Sequence, residues 1–232
     1  MVYLFFFYNF TVVVRKIYTI FLTKITEHPD FPARLPLQEK NLPENPMLLF
    51  KDWFNAFLAY QPLEPYVMVL STVSEKGPSA RVVYLREYTD NSLVFYTHYH
   101  SKKGSEIQEN PWVHLLFYFA EQERQIHGFG RAIQKSRFDN ETYFSTRPRE
   151  SQLGAWASVQ SSVLKNENSL HEKMAYYQDF FKDLIVPCPS TWGGYQVELE
   201  QMEFWQGQPA RLHDRILYQK QNDQWIKKRL SP

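Results

Sequence analysis

Three runs rich in Val, Leu and Tyr, at 66–74, 80–87 and 93–97, follow one another with only Glu75-Lys76-Gly77-Pro78 and Thr89-Asp90-Asn91-Ser92 between them. Turn chemistry of that length closes hairpins, so the stretch predicts consecutive antiparallel strands. The strand pattern resumes at 112–119 and 124–134, and again after Trp192 at 195–199, 202–206, 211–219 and 225–229. Helical signals fill the gaps. Asn45 can cap, Pro46 suits a first turn, and Leu49, Trp53 and Phe57 with Phe50, Phe54 and Leu58 repeat at fourfold spacing, which makes 51–60 the body of an amphipathic helix. Ser101 can cap a short helix through Glu109, ended before Pro111, and 136–158 and about 169–182 read as helical. Many strands, few helices and no βαβ alternation predict a mainly β chain with flanking helices, an antiparallel barrel or sandwich rather than a doubly wound sheet.

Composition narrows the function. A net charge of +1 gives no general affinity for nucleic acid or acidic membranes. Cys188 is the single cysteine, which excludes an internal disulfide and a cysteine-based metal cluster and predicts a reducing, cytoplasmic setting. An aromatic content of 17% leaves flat surface for packing a ring-shaped cofactor or a subunit partner. There is no GxSxG elbow, HExxH motif, dinucleotide glycine fingerprint or zinc-like spacing, so hydrolase and metalloenzyme readings lose support.

Residues 1–14 are nearly all aromatic or β-branched, and Arg15 and Lys16 separate them from a second apolar piece at 17–22. A signal peptide begins with positive charge and ends in small residues, and a membrane helix needs about 20 mostly apolar residues without that interruption. An N-terminal strand or arm, a poorly ordered tail, or translated sequence upstream of the natural start remain, and the last two fit better.

Polar constellations fall at element ends. Phe204-Trp205-Gln206-Gly207-Gln208-Pro209-Ala210-Arg211-Leu212-His213-Asp214-Arg215 is the densest. On a strand, Arg211, His213 and Arg215 would share one face, suiting an anionic, planar, hydrogen-bonding ligand; the competing reading is a solvated edge strand with ordinary salt bridges. Lys102 and Lys103, following Ser101, would gather two ammonium groups and free amides at one helix N-terminus, a phosphate site or else a solvated turn. Arg81 and Arg86 lie five apart in one predicted strand and would face opposite sides unless a bulge intervenes. Tyr143, Arg147 and, past the Pro148 break, Ser151 could converge on one phosphate, or Arg147 could simply compensate a helix C-terminus. Gln160-Ser161-Ser162 could cap or bind.

Together with Arg81-Val82-Val83-Tyr84-Leu85-Arg86, Phe95-Tyr96-Thr97, Glu123-Arg124-Gln125, the run from Arg147-Pro148-Arg149-Glu150-Ser151 to Trp156, and Trp192-Gly193-Gly194, these strings resemble the pyridoxine (pyridoxamine) 5′-phosphate oxidase family. They occur in its order and at about its spacing over roughly 41–232. The resemblance implies an FMN-binding split β-barrel, one domain at 41–232 behind an atypical extension at 1–40, working as a homodimer with FMN where two subunits meet. It implies that Arg81, Lys102 and Lys103, with Gln160 and Ser161, hold the FMN phosphate, and that Val82, Val83, Tyr84, Leu85, Arg86, Tyr96, Thr97, Gln125, Trp205 and Arg215 line the flavin. Arg86, Tyr143, Arg147 and Ser151 would grip the substrate phosphate, with Arg211, Leu212 and His213 over the reacting carbon and Arg211 and His213 as the catalytic pair. The implied reaction oxidises pyridoxamine or pyridoxine 5′-phosphate to pyridoxal 5′-phosphate by hydride transfer from C4′ to flavin N5, with O2 as acceptor and H2O2 released. Rival readings are a split-barrel flavoprotein with another substrate and a non-catalytic binder of flavin or pyridoxal phosphate. Arg86 stands where the family usually has lysine, and Lys102 where arginine is common. Arg15 and Tyr18 have the spacing of the family's N-terminal Arg-x-x-Tyr element but are not expected to be site residues.

Overall fold

The computed structural model describes residues 30–232, so the expectations for Arg15, Tyr18 and the rest of 1–29 lie outside the described residues. Five helices, α1 (Pro46–Leu58), α2 (Lys102–Glu109), α3 (Arg137–Ser145), α4 (Arg149–Ala157) and α5 (Ser169–Phe180), flank nine strands. The strands are β1 (Val67–Ser74), β2 (Gly77–Tyr84), β3 (Glu87–Tyr88), β4 (Ser92–His98), β5 (Trp112–Phe119), β6 (Arg124–Gln134), β7 (Trp192–Gln206), β8 (Asp214–Gln221) and β9 (Gln224–Arg229). All pairings are antiparallel, in the order β2-β1-β5-β6-β7-β4-β3, with β8 added to β7 and β9 to β8.

The branch lies in β7. The sequence reads two short strands here, yet the chain runs unbroken for 15 residues. One edge of β7 pairs with β6; the other carries β4 along 192–198 and β8 along 201–206. A register shift opposite Phe129/Gly130 marks the bend, and only glycine fits there, because a Cβ on Gly130 would lie 2.0 Å from the Glu198 carbonyl oxygen.

Alternation along β5 sends Val113, Leu115, Phe117 and Phe119 into the core and Trp112 and Tyr118 out to solvent. Phe50, Trp53, Phe54 and Phe57 of α1 cover that face, with Phe57 stacked on Phe119 at 4.3 Å and Trp53 edge-on to Phe204 at 5.3 Å. The predicted cap holds: the Asn45 side chain accepts from the Met47 N–H at 2.8 Å. A smaller apolar cluster of Phe144, Leu153, Phe181, Cys188 and Trp192 ties the helical layer to the start of β7.

The 136–158 helical section breaks at Pro148, as expected, into α3 and α4, since proline cannot donate to a continuing helix. Two local expectations are corrected. Arg81 and Arg86 do not share a strand: β2 ends at Tyr84, and the break before β3 frees Arg86 from strand alternation. The last charged stretch enters β8 only at Asp214; 209–211 is a tight turn in which Ala210 and Arg211 have positive φ, so Arg211, His213 and Arg215 do not form one strand face.

Candidate active site

A cavity of about 480 Å³ opens between β2, β4, α4 and the start of β7. Val82, Val83, Tyr84 and Arg86 come from β2 and the segment after it, Tyr96 and Thr97 from β4, and Ser151 from the first turn of α4. An aromatic stack forms one wall: Tyr96 lies 3.9 Å from the Tyr143 ring and 5.3 Å from Trp192, each nearly parallel. Arg147 lays its guanidinium 4.6 Å over Trp192, and its Nη1 is buried with no hydrogen-bond partner among the described residues. Burial, and next the Tyr143 and Arg86 groups acting in opposite directions, leave its pKa below the usual arginine value. A buried, unpaired cationic donor in a cavity wall is costly unless a ligand satisfies it.

Tyr96 is oriented from behind. Its hydroxyl donates to Glu87 at 2.7 Å, and Lys135 reaches the other Glu87 oxygen at 2.7 Å. Burial and then that carboxylate push the phenol pKa up, so Tyr96 stays neutral. His98, also in the wall, is lowered to about 4 by burial and by Arg147, Lys103 and His100, so it is uncharged at neutral pH. Sequence reasoning did not single out His98 or Glu87, since neither belongs to a spaced pattern; Trp192 was noted only as part of a string.

The N-terminus of α2 closes one end of the cavity. Ser101 caps it, accepting from the Gly104 N–H, and Gly104 lets the helix sit against the chain before it, because a Cβ would lie 2.1 Å from the Tyr99 carbonyl oxygen. Lys103 points inward to Thr97 Oγ1 (3.2 Å) and Gln160 Oε1 (3.0 Å), while burial, with Arg81 adding to it and Glu106 opposing, lowers its pKa. The Lys102 N–H donates to Ser161 Oγ at 3.1 Å, and Ser161 takes a positive φ of 73° to reach it. Lys102 itself is largely exposed. Arg81 approaches from β2 and is held by Glu106. Leu85 lies in the hydrophobic core and is not among the residues that line the cavity.

The other predicted residues are elsewhere. Gln125, Trp205 and Arg215 stand opposite one another across β6, β7 and β8. Arg215 pairs with Glu203 at 2.7 Å. His213 packs 4.7 Å from Trp205 and accepts at Nδ1 from the Gln208 N–H, which leaves Nε2 as the protonated nitrogen of the neutral ring. Arg211 and Leu212 are exposed. Residues before 41 also reach this cluster: Phe31 stands edge-on to Trp205 and His213, Arg34 pairs with Glu123 at 3.0 Å, and Asp30 accepts from the Ala210 N–H. Trp192, in the cavity, and Trp205 sit near opposite ends of the 15-residue β7, roughly 40 Å apart along an extended strand. Within one chain, then, the cavity group and the Trp205 group are two separate clusters.

A branched antiparallel sheet with helices on its flank and a cationic cavity beside β2 and β4 defines a split barrel of the flavin-binding type. Residues 50–179 match the family model described as pyridoxamine 5′-phosphate oxidase, and 192–232 match the pyridoxine 5′-phosphate oxidase C-terminal dimerisation region. The chain belongs to the pyridoxine/pyridoxamine 5′-phosphate oxidase family. A relative of that name from Haemophilus influenzae is 45% identical over 84% of this chain and 93% of its own length. Another from Cyanothece sp. is 43% identical over 84% and 92%. Among solved structures, PhzG from Burkholderia lata, bound to tetrahydrophenazine-1-carboxylic acid, superposes with a TM-score of 0.80 at 28% identity, covering 86% of this chain and 99% of that one. Among the described residues, no helix is long and apolar enough to cross a membrane.

Proposed function

We propose that this protein is an FMN-dependent oxidase that converts pyridoxamine and pyridoxine 5′-phosphates to pyridoxal 5′-phosphate. The observation that carries the reading is the buried, unpaired Arg147 Nη1 beside Tyr143 and Ser151, a donor set suited to a phosphate monoester. A second anion grip, made by Arg81, Lys103, Gln160, Ser161 and the amides at the start of α2, fits the FMN phosphate. Two phosphate grips bordering one cavity match a phosphorylated cofactor stacked on a phosphorylated substrate.

Bound FMN would supply the redox chemistry, a two-electron oxidation at substrate C4′ with O2 as final acceptor and H2O2 released; the imine from pyridoxamine phosphate is then hydrolysed by water with loss of ammonia, whereas pyridoxine phosphate gives the aldehyde directly. The protein's own residues position and exclude. Tyr143, Arg147, Ser151 and Arg86 fix the substrate phosphate, and the Tyr96–Trp192 stack keeps Arg147 and Tyr143 in place. Arg211 orients the substrate, and His213 holds a proton at Nε2 on the side away from Gln208. The separation of the half-sites along β7 supports a homodimer in which FMN lies between the cavity of one subunit and Gln125, Trp205, Arg211, His213 and Arg215 of the other. A ligand like the tetrahydrophenazine-1-carboxylic acid of the PhzG complex is disfavoured, because the Tyr143, Arg147 and Ser151 donor set suits a phosphate monoester.

The test is an anaerobic titration of the flavin-loaded protein with pyridoxamine 5′-phosphate, followed by air. Bleaching of the yellow colour and its return with pyridoxal phosphate and peroxide is the expected result. Bound flavin that never bleaches with either vitamer would overturn the oxidase reading. Arg211→Ala is expected to cut turnover far more than flavin content; equal loss of both would remove Arg211 from catalysis.

A further inference from the structure

Glu106 is a charged residue that the proposed reaction does not use. It lies on α2, is only 5% exposed, and sits behind the proposed FMN phosphate grip rather than in it. A carboxylate buried beside an anion-binding corner opposes the ligand's charge, so its presence needs a compensating reason.

The surrounding bonds supply one. Glu106 Oε2 accepts from Thr72 Oγ1 at 2.6 Å and from Arg81 Nη2 at 3.0 Å, and both Glu106 oxygens lie within 2.9 Å of Ser79 Oγ. Thr72 and Ser79 in turn each accept from Arg81 at 2.6 Å, and the Leu70 carbonyl accepts from Arg81 Nη1 at 3.2 Å. Both terminal nitrogens of Arg81 are therefore taken by protein acceptors, which leaves Nε–H as its one guanidinium donor without a partner among the described residues. Each hydroxyl donates its own proton to Glu106 and turns its lone pairs to Arg81, so the carboxylate orients both acceptors. One carboxylate thus fixes three side chains on β1 and β2 from a neighbouring helix.

Burial alone would push the Glu106 carboxyl up; the Thr72 and Ser79 hydroxyls, the Lys102 ammonium 3.5 Å away and Arg81 outweigh it and hold the pKa at about 2. The network is accordingly ionised at neutral pH. With Arg81, Lys102 and Lys103 on the other side, the corner keeps two positive charges in surplus, the amount that a phosphate of about −2 neutralises.

We propose that Glu106 is a positioning residue for cofactor binding: through Thr72, Ser79 and a direct ion pair it locks Arg81 in the pose that meets the flavin phosphate, so that the grip is set before FMN arrives. This rests on the reading of Arg81 as a phosphate residue. Pre-ordering removes the entropy cost of fixing a long side chain at binding, which outweighs the unfavourable charge of the carboxylate.

The experiment is a double-mutant cycle on FMN affinity, read by quenching of flavin fluorescence with apo-protein of the parent, Arg81→Ala, Glu106→Ala and the double variant, together with the near-isosteric Glu106→Gln. The parent is expected to bind FMN, and Arg81→Ala and Glu106→Ala each to weaken it by roughly tenfold or more. In the Arg81→Ala background, Glu106→Ala is expected to cost nothing further, because the residue it acts through is gone. Losses that multiply would make Glu106 a structural residue and overturn the proposal, as would unchanged or tighter FMN binding by the Glu106 variants, or failure of both to fold. Unchanged binding by Arg81→Ala would overturn it too, while leaving the oxidase reading in place. No FMN uptake by the parent would overturn both.

Discussion

A guanidinium laid over an aromatic ring is fixed by packing rather than by hydrogen bonds, and Arg147 is held in this way over Trp192, with one terminal nitrogen kept free. Removing the charge should therefore weaken substrate binding without unfolding the protein. Arg147→Met is expected to raise KM for pyridoxamine 5′-phosphate at least roughly tenfold while leaving the melting temperature unchanged or higher, by steady-state kinetics and thermal melting. His98 makes a different prediction. Its folded pKa of about 4 lies below the ordinary 6.5, so the folded state favours the neutral ring. The stability this contributes is complete above about pH 6.5 and is lost as pH falls toward about 4. Urea unfolding of His98→Asn across that window should show a flatter pH dependence than the parent. Residues such as Arg81, Tyr143, Arg147 and Ser151 were legible in the sequence because they stand in spaced strings. Glu106, Glu87 and His98 act from behind or beside those strings, and single residues of common type carry no sequence signal.

At the scale of elements, local chemistry did most of the work. Asn45 and Ser101 cap their helices as their types predict, and β5 and β6 keep the bounds that alternation gives them. Helix α2 is the element on which the proposed cofactor site depends, since it brings Lys103, the capped N-terminus and Glu106 to one corner. Its approach is set by Gly104. Gly104→Ala would force a Cβ against the Tyr99 carbonyl, at an expected cost of roughly 1–3 kcal/mol, and should lower FMN affinity by shifting the helix; thermal melts with and without FMN check both. The elements misjudged from sequence share a cause. The join of 195–199 to 202–206 and the turn at 209–211 depend on which strands pair alongside, and Ala210 and Arg211 adopt positive φ without the glycine that would announce it.

For the whole molecule, the decisive fact is the length of β7, which separates Trp192 in the cavity from Trp205 in the other cluster. A site composed across a dimer predicts complementation. Arg147→Ala and Arg211→Ala, assayed at substrate well below the KM of the Arg147 variant so that each alone has little activity, should regain roughly a quarter of parental activity when co-assembled, because random pairing makes half of the dimers mixed and each mixed dimer holds one intact site of two. No recovery in purified mixed dimers would place both arginines in a site built from one chain. Phe31 packs against Trp205 and His213, and Asp30 and Arg34 bond to Ala210 and Glu123 nearby, so the chain before residue 41 packs against that cluster.

Strand and helix types, the caps and the family were legible in the chain alone, because each is written in local periodicity or in a fixed order of residues. The tertiary structure decided what those strings share. It paired Arg81 with Glu106, set Arg147 on Trp192, and held the cavity and the Trp205 cluster apart on one long strand. Such relations depend on contacts between residues distant in sequence, which only the folded sheet brings within range.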